Sequence, residues 1–176
     1  VEVNREFALE LITSAAEAGL PEAMEKLRDI YSNGVGVHTD YKKALIWAEK
    51  YADYMAENYG EEDPQAVSAL NSVAVIYIPL GEYDKSLEIS KKVYKNLCNT
   101  VGEDAPEANT TLAMIAGNYM VLKDFDNALK LSTKAYDNNL KSFGEESPIT
   151  ITSSLLLSQV LISIDENEKA LEMSEK

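Results

Sequence analysis

DPQAVSALNSVAVIYIPLGEYDKSLEISKKVYKNL, residues 63–97, returns forty-two residues on as APEANTTLAMIAGNYMVLKDFDNALKLSTKAYDNNL, residues 105–140. It begins again at the same interval as SPITITSSLLLSQVLISIDENEKALEMSEK, residues 147–176. Pro64, Pro106 and Pro148 stand in register, and so do Leu87, Leu129 and Leu171. A fixed period of this length is the signature of a stacked repeat array. One such unit cannot cover its own apolar face, so its neighbours must do so.

Each unit reads as two antiparallel helices. The spacing predicts first helices over 64–79, 106–122 and 148–164, and second helices over 83–100, 125–143 and from 167 onward. The turns GEEDP (60–64), GEDAP (102–106) and GEESP (144–148) separate the units. Glycine stops one helix by taking the left-handed conformation, and proline opens the next where no amide hydrogen is needed. Asp63 and Ser147 are expected to cap by side chain, whereas Ala105 cannot, which makes the middle start weaker by about 1 kcal/mol. Pro79 removes the amide that an ordinary helix would donate to the carbonyl of Val75, so the first of these helices should kink or end early.

Within the units, small and aromatic residues recur at fixed positions. The first has Leu70, Val73, Ala74, Tyr77, Gly81, Tyr83, Ser86 and Val93; the second has Leu112, Ile115, Ala116, Tyr119, Phe125, Ala128 and Ala135. Ala74, Ala116 and Ser158 allow close approach of paired helices, and Tyr83 or Phe125 should plug the turn. In the third unit Leu161 stands in place of the tyrosine and Asn167 in place of the aromatic. This pattern resembles the tetratricopeptide repeat. Its 42-residue period and G-x-x-x-P turns are similar to those of kinesin light chains and their bacterial relatives. The resemblance covers residues 60–176 and implies an all-α, right-handed superhelix of helical hairpins that binds peptides or proteins.

The first 59 residues have their own spacing. Apolar residues predict helices over 4–18 (Phe7, Ala8, Leu11, Ile12, Ala15), 21–32 (Met24, Leu27, Ile30, Tyr31) and 41–59 (Ala44, Leu45, Trp47, Ala48, Tyr51, Met55). Gly19 ends the first helix, NGVGVHTD (33–40) forms a glycine turn, and Thr39 or Asp40 can cap the third. Ala15, Ala16, Gly19, Ala23, Leu27, Tyr31, Gly34, Gly36, Val37, Asp40, Lys43, Ala44 and Trp47 together resemble a Sel1-like repeat. Arg28 departs from that pattern, where a small residue usually packs between the helices; it must lean outward or push them apart. The expected organisation is a Sel1-like region, residues 1–59, whose first helix comes from a truncated preceding repeat. It runs on as one solenoid into a tetratricopeptide array of about two and a half repeats, residues 60–176. The absence of an initial Met and the stop inside a repeat read as a fragment of a longer protein.

The net charge of −14 argues against nucleic acid, which needs a basic stripe. No apolar run approaches a membrane span, and VEVNREF lacks the form of a signal peptide. The single cysteine, Cys98, precludes an intramolecular disulfide and suits a reducing compartment, so the expected location is cytoplasmic. Chemistry-bearing residues are sparse. His38 stands alone in a turn, Cys98 has no histidine near it in sequence, and Gly34-Val35-Gly36 is no phosphate loop. The acidic turns (Glu61, Glu62, Asp63, Glu103, Asp104, Glu145, Glu146) could attract calcium. Each lies at a helix start, however, where the macrodipole already favours negative charge. We therefore expect no enzyme, no cofactor and no metal.

A solenoid of this type works through its concave face, built from the first helix of each unit. The register places Ser68, Asn71, Val75 and Ile78 there in the first unit, Thr110, Ala113, Gly117 and Met120 in the second, and Thr152, Leu155, Gln159 and Ile162 in the third. The Sel1-like region would add Glu22, Glu25, Asp29 and Ser32. The carboxylate clamp of some tetratricopeptide proteins needs Lys, Arg and Asn at these positions; only Asn71 matches, so a charged chain terminus would lack partners. The groove reads as small and apolar, with the amides of Asn71 and Gln159 to hold a peptide backbone. An acidic N-terminal end favours a neutral or basic segment. The expected function is a scaffold for a peptide or protein; the alternative is a peptide-sensing regulatory domain of a larger signalling protein. Apolar surface at exposed repeat ends could also pair two copies as a homodimer.

Overall fold

A computed structural model describes residues 5–164. Its described elements are all helices: α1 (Arg5–Glu17), α2 (Pro21–Asn33), α3 (Tyr41–Tyr59), α4 (Pro64–Tyr77), α5 (Tyr83–Thr100), α6 (Pro106–Val121), α7 (Phe125–Phe143) and α8 (Pro148–Ser163). The all-α class expected from the repeat is the one observed. The helix expected from residue 167 onward lies outside the described residues. The chain divides into two compact units, residues 1–82 and 83–176.

In the first unit, α1 packs on α2, α2 on α3 and α3 on α4. Ala16, Ala23, Met24, Leu27 and Trp47 form one core cluster, flanked by Leu9, Ile12, Ala15, Tyr31 and Tyr51. Alanines at close-packing positions are sealed: Ala44 and Ala74 are 0% exposed. Phe7 and Leu11 break the expected apolar stripe of α1, for both are more than half exposed. The face that meets α2 carries Leu9, Ile12 and Ala16 instead, which rotates the buried line away from those two residues. Arg28 neither swings free nor wedges the helices open. Its guanidinium lies 6.0 Å from the Tyr51 ring centroid, and its Nη2 reaches Glu25 Oε1 at 3.2 Å and Asp29 Oδ1 at 2.8 Å.

The second unit packs α5 on α6, α6 on α7, α7 on α8, and brings α6 against α8. Ala116, Ala128 and Ala135 are fully buried, and Ser158 nearly so. Leu157 and Leu161 meet Leu129, Tyr136 and Ile164. The interior is also polar to a degree the repeat pattern did not announce. Asn118 Nδ2 donates to Ser86 Oγ at 2.9 Å, and Asn138 Nδ2 donates to Asn109 Oδ1 at 3.0 Å. These bonds offset the cost of burying the amides, although the Asn139 side-chain oxygen nearby is buried without a partner.

The helix boundaries follow the punctuation. Asp63 Oδ1 accepts from the amides of Gln65 at 2.8 Å and Ala66 at 3.4 Å, and Asp40 Oδ1 accepts from Lys43 N at 3.0 Å. Ala105 provides no side-chain cap, as expected. Ser147 provides none either, contrary to expectation. Its backbone is as extended as that of Asp63, so the missing cap is not a matter of backbone geometry. α4 stops at Tyr77, two positions short of its counterparts α6 and α8 in the 42-residue register. Pro79 lacks the amide for the next rung, so Ile78 N closes on Val75 O at 3.3 Å and Glu82 N returns to Tyr77 O at 3.0 Å. Gly60 and Gly144 end their helices with φ of 95° and 78° but ψ of 152° and 172°. That is the mirror image of the extended strand rather than a left-handed helical turn, a region open essentially to glycine alone.

Candidate functional site

The positions expected to face a groove are laid out along single faces of α4, α6 and α8. On α4, Ser68 and Val75 are exposed and Asn71 is half-buried; Ile78, just past its end, is half-buried too. The Asn71 side-chain oxygen is buried without a hydrogen-bond partner. A buried acceptor left unmatched costs on the order of 1–3 kcal/mol, so the amide sits where a donor would be rewarded.

On α6, Thr110 is exposed, while Ala113, Gly117 and Met120 are half-buried. Gly117 has open space where a Cβ would stand. On α8, Thr152, Leu155, Gln159 and Ile162 are all exposed. Leu155 and Ile162 leave 53% and 58% of their surface in water, and Ile151, one turn before Leu155, leaves 47%. Thr110 and Thr152 occupy matching places, and both turn their hydroxyl proton inward, donating to Pro106 O and Pro148 O at 2.8 Å. They therefore present acceptors outward rather than free donors. Within the second unit α6 and α8 touch, which brings two of the three predicted lines onto neighbouring helices.

Electrostatics add to this picture. Among Glu22, Glu25 and Asp29 of α2, the last two are tied to Arg28, which tempers the acidic end expected there. Burial, then Glu25, pushes the Tyr51 hydroxyl up, with Arg28 opposing. Tyr77 Oη donates to Glu49 Oε1 at 2.8 Å; burial first and that bond second push its pKa to about 12. Two basic side chains elsewhere are committed. Lys91 lies 5.0 Å from the Tyr119 ring centroid, and Lys134 Nζ bonds Glu103 Oε2 at 2.7 Å, which holds the Glu103 carboxyl below its ordinary range.

Cys98 is half-buried beside Tyr94, whose hydroxyl is pushed up by burial and by the thiol and drawn down by Lys134. His38 is exposed. Among the described residues no three metal-binding side chains converge, and no helix is long and apolar enough to cross a membrane. Of the acidic turn residues, Asp63 caps a helix and Glu103 bonds Lys134.

Consecutive helices packed one on the next within each unit, with polar and apolar side chains left outward at the repeating positions, define a helical-repeat protein. Residues 107–176 match the family model of the tetratricopeptide repeat. Solved structures share the fold. A variant of a kinesin light chain of nearly identical TPR-like repeats from Podosopora anserina is 19% identical, with a TM-score of 0.74 over 85% of this chain and 68% of that one. BtubC (BKLC) from P. vanneervenii is 18% identical, with a TM-score of 0.77 over 89% and 61%. The apo form of RapI is 19% identical, with a TM-score of 0.72 over 87% and 52%. The chain thus spans between half and about two thirds of the length of these three neighbours. No curated protein matches it. The TPR-like helical-repeat fold is typically that of a protein-interaction scaffold.

Proposed function

We propose that the chain is a non-enzymatic scaffold that binds a peptide or partner protein through outward helix faces, that of α6 and α8 within the second unit and, taken by itself, that of α4 in the first. One observation carries the reading: Val75, Leu155 and Ile162 are large apolar side chains that are 47%, 53% and 58% exposed. Fully burying such a side chain is worth about 1.5–3 kcal/mol, so covering the exposed half of each would favour association by roughly half that. Gln159 lies between Leu155 and Ile162 and offers both a donor and an acceptor for a backbone amide. None of the twelve candidate positions is charged. With a net charge of −14, the chain favours a neutral or basic segment over an acidic one.

The test is a peptide-display selection on the chain, repeated with Asn71→Ala plus Gln159→Ala and separately with Leu155→Ser. An enriched consensus that both variants lose supports the reading. Equal enrichment on all three proteins overturns it. The same Leu155 and Ile162 surface could pair two copies; light scattering that gives a monomer at high concentration removes that version.

A further inference from the structure

Between α1, α2 and the loop after α2 lies a hollow of about 320 Å³. Leu9, Ile12, Ile30 and Val37 line it with aliphatic carbon, and Arg5 and Lys26 are the charged residues on its wall. No acidic side chain lines it. Its volume is at the lower end of the range for small-molecule sites, enough for a short aliphatic group but not for a folded surface.

Acidic residues outnumber basic ones 30 to 16. Arg28, Lys43 and Lys134 each pair with a carboxylate, and Lys50 and Lys91 lie over aromatic rings. Among the described residues, Arg5 and Lys26 have neither kind of partner, as is also true of Lys42, Lys95, Lys123, Lys130 and Lys141; what sets these two apart is that both line one apolar hollow. Arg5 is also placed by the loop: a Cβ built on Gly36 would lie 3.7 Å from Arg5 Cδ, so the stem of the arginine runs close over that glycine. Gly36 has a φ of 75°, which keeps the position bare. An apolar floor with an unmatched guanidinium and ammonium on its wall is complementary to a ligand that is apolar along its body and anionic at one end. Arg offers a planar fork to a carboxylate, and Lys adds a point charge.

We infer that this hollow binds a small aliphatic carboxylate, its chain against Leu9, Ile12 and Ile30 and its carboxylate held by Arg5 and Lys26. The site is separate from the outward faces of α4, α6 and α8 and does not depend on their use.

Titration calorimetry with octanoate and with N-acetyl-leucyl-leucine, each beside its neutral amide, tests the inference. Saturable binding of at least one acid is expected, with the matching amide weaker by about ten-fold or more, since hydrogen bonds to charged groups are the strong ones. Preference for octanoate would indicate a free aliphatic acid as the natural source, and preference for the dipeptide the end of a peptide chain. Arg5→Gln plus Lys26→Gln, both exposed and so free of cost to the fold, should remove the distinction between acid and amide. The amide signals of Gly36 and Val37 should move on titration, and Asn71→Ala plus Gln159→Ala should bind as the parent does. Acid and amide binding alike, no saturable binding of either acid, or full binding by the double glutamine variant would each overturn it.

Discussion

The three register-equivalent positions 63, 105 and 147 are a natural experiment in helix capping. All three precede a proline, and their backbones are alike: φ/ψ is −61°/135° at Asp63, −65°/146° at Ala105 and −69°/134° at Ser147. Only Asp63 accepts hydrogen bonds from the first-turn amides. Ala105→Asp should therefore reproduce that cap on α6 with no change in backbone. The gain is about 1 kcal/mol from the cap, with a further few tenths from negative charge at the helix start. Repulsion from Asp104 subtracts from the second term, so Ala105→Asn, which caps without charge, separates the two. Over a urea slope of about 1–3 kcal/mol per molar, 1 kcal/mol moves the unfolding midpoint by roughly 0.3–1 M. The reciprocal Asp63→Ala should lower it by a similar amount. Unchanged midpoints for Ala105→Asp, Ala105→Asn and Asp63→Ala, followed by circular dichroism, would refute the claim that these starts differ in stability through their caps.

Pro79→Ala should let α4 run on by the two positions that separate it from α6 and α8; an unchanged helix end in the amide shifts of residues 78–80 would count against that account. Tyr77→Phe should remove the highest tyrosine pKa from an ultraviolet titration. In the parent, the raised Tyr77 pKa contributes stability that is complete below about pH 10 and is lost as pH rises through about 12, because the native state holds the proton longer than the unfolded chain. The variant should therefore lose less stability over that window. Lys134→Ala should return the Glu103 carboxyl to its ordinary titration range, read by carbon NMR; no movement would show that the 2.7 Å bond is not what lowers it.

Most of the helix map was legible because glycine and proline fix backbone angles locally, and the 42-residue interval repeats them. Gly60, Pro64, Gly102, Pro106, Gly144 and Pro148 mark starts and stops with no reference to the rest of the fold. What was illegible depends on neighbours distant in sequence. Asn118 looks like a surface residue until the small Ser86 hydroxyl, thirty-two positions away, meets it in the interior. Phe7 and Leu11 lie at helical spacing with Ile12 and Ala15, and periodicity alone cannot say which side of α1 meets α2. Arg28 breaks the pattern of its repeat, yet Tyr51, Glu25 and Asp29 accommodate it. The twelve groove candidates could be named from the register, but their exposure could not, nor the inward turn of the Thr110 and Thr152 hydroxyls. Arg5 and Lys26 escaped notice because nothing in their sequence spacing ties one to the other; the hollow between helices does.

The mirror-extended glycines between the repeats bear on how a duplicated segment ages. A turn whose course is set by a residue without a side chain asks nothing of the residues around it. The third copy has exchanged its tyrosine for Leu161 and its turn aromatic for Asn167, yet it retains Gly144 and Pro148. Copies of such a segment can drift in what they touch while the chain continues to reverse at the same places. Novelty then accumulates on the faces, and the hinges between copies are inherited unaltered.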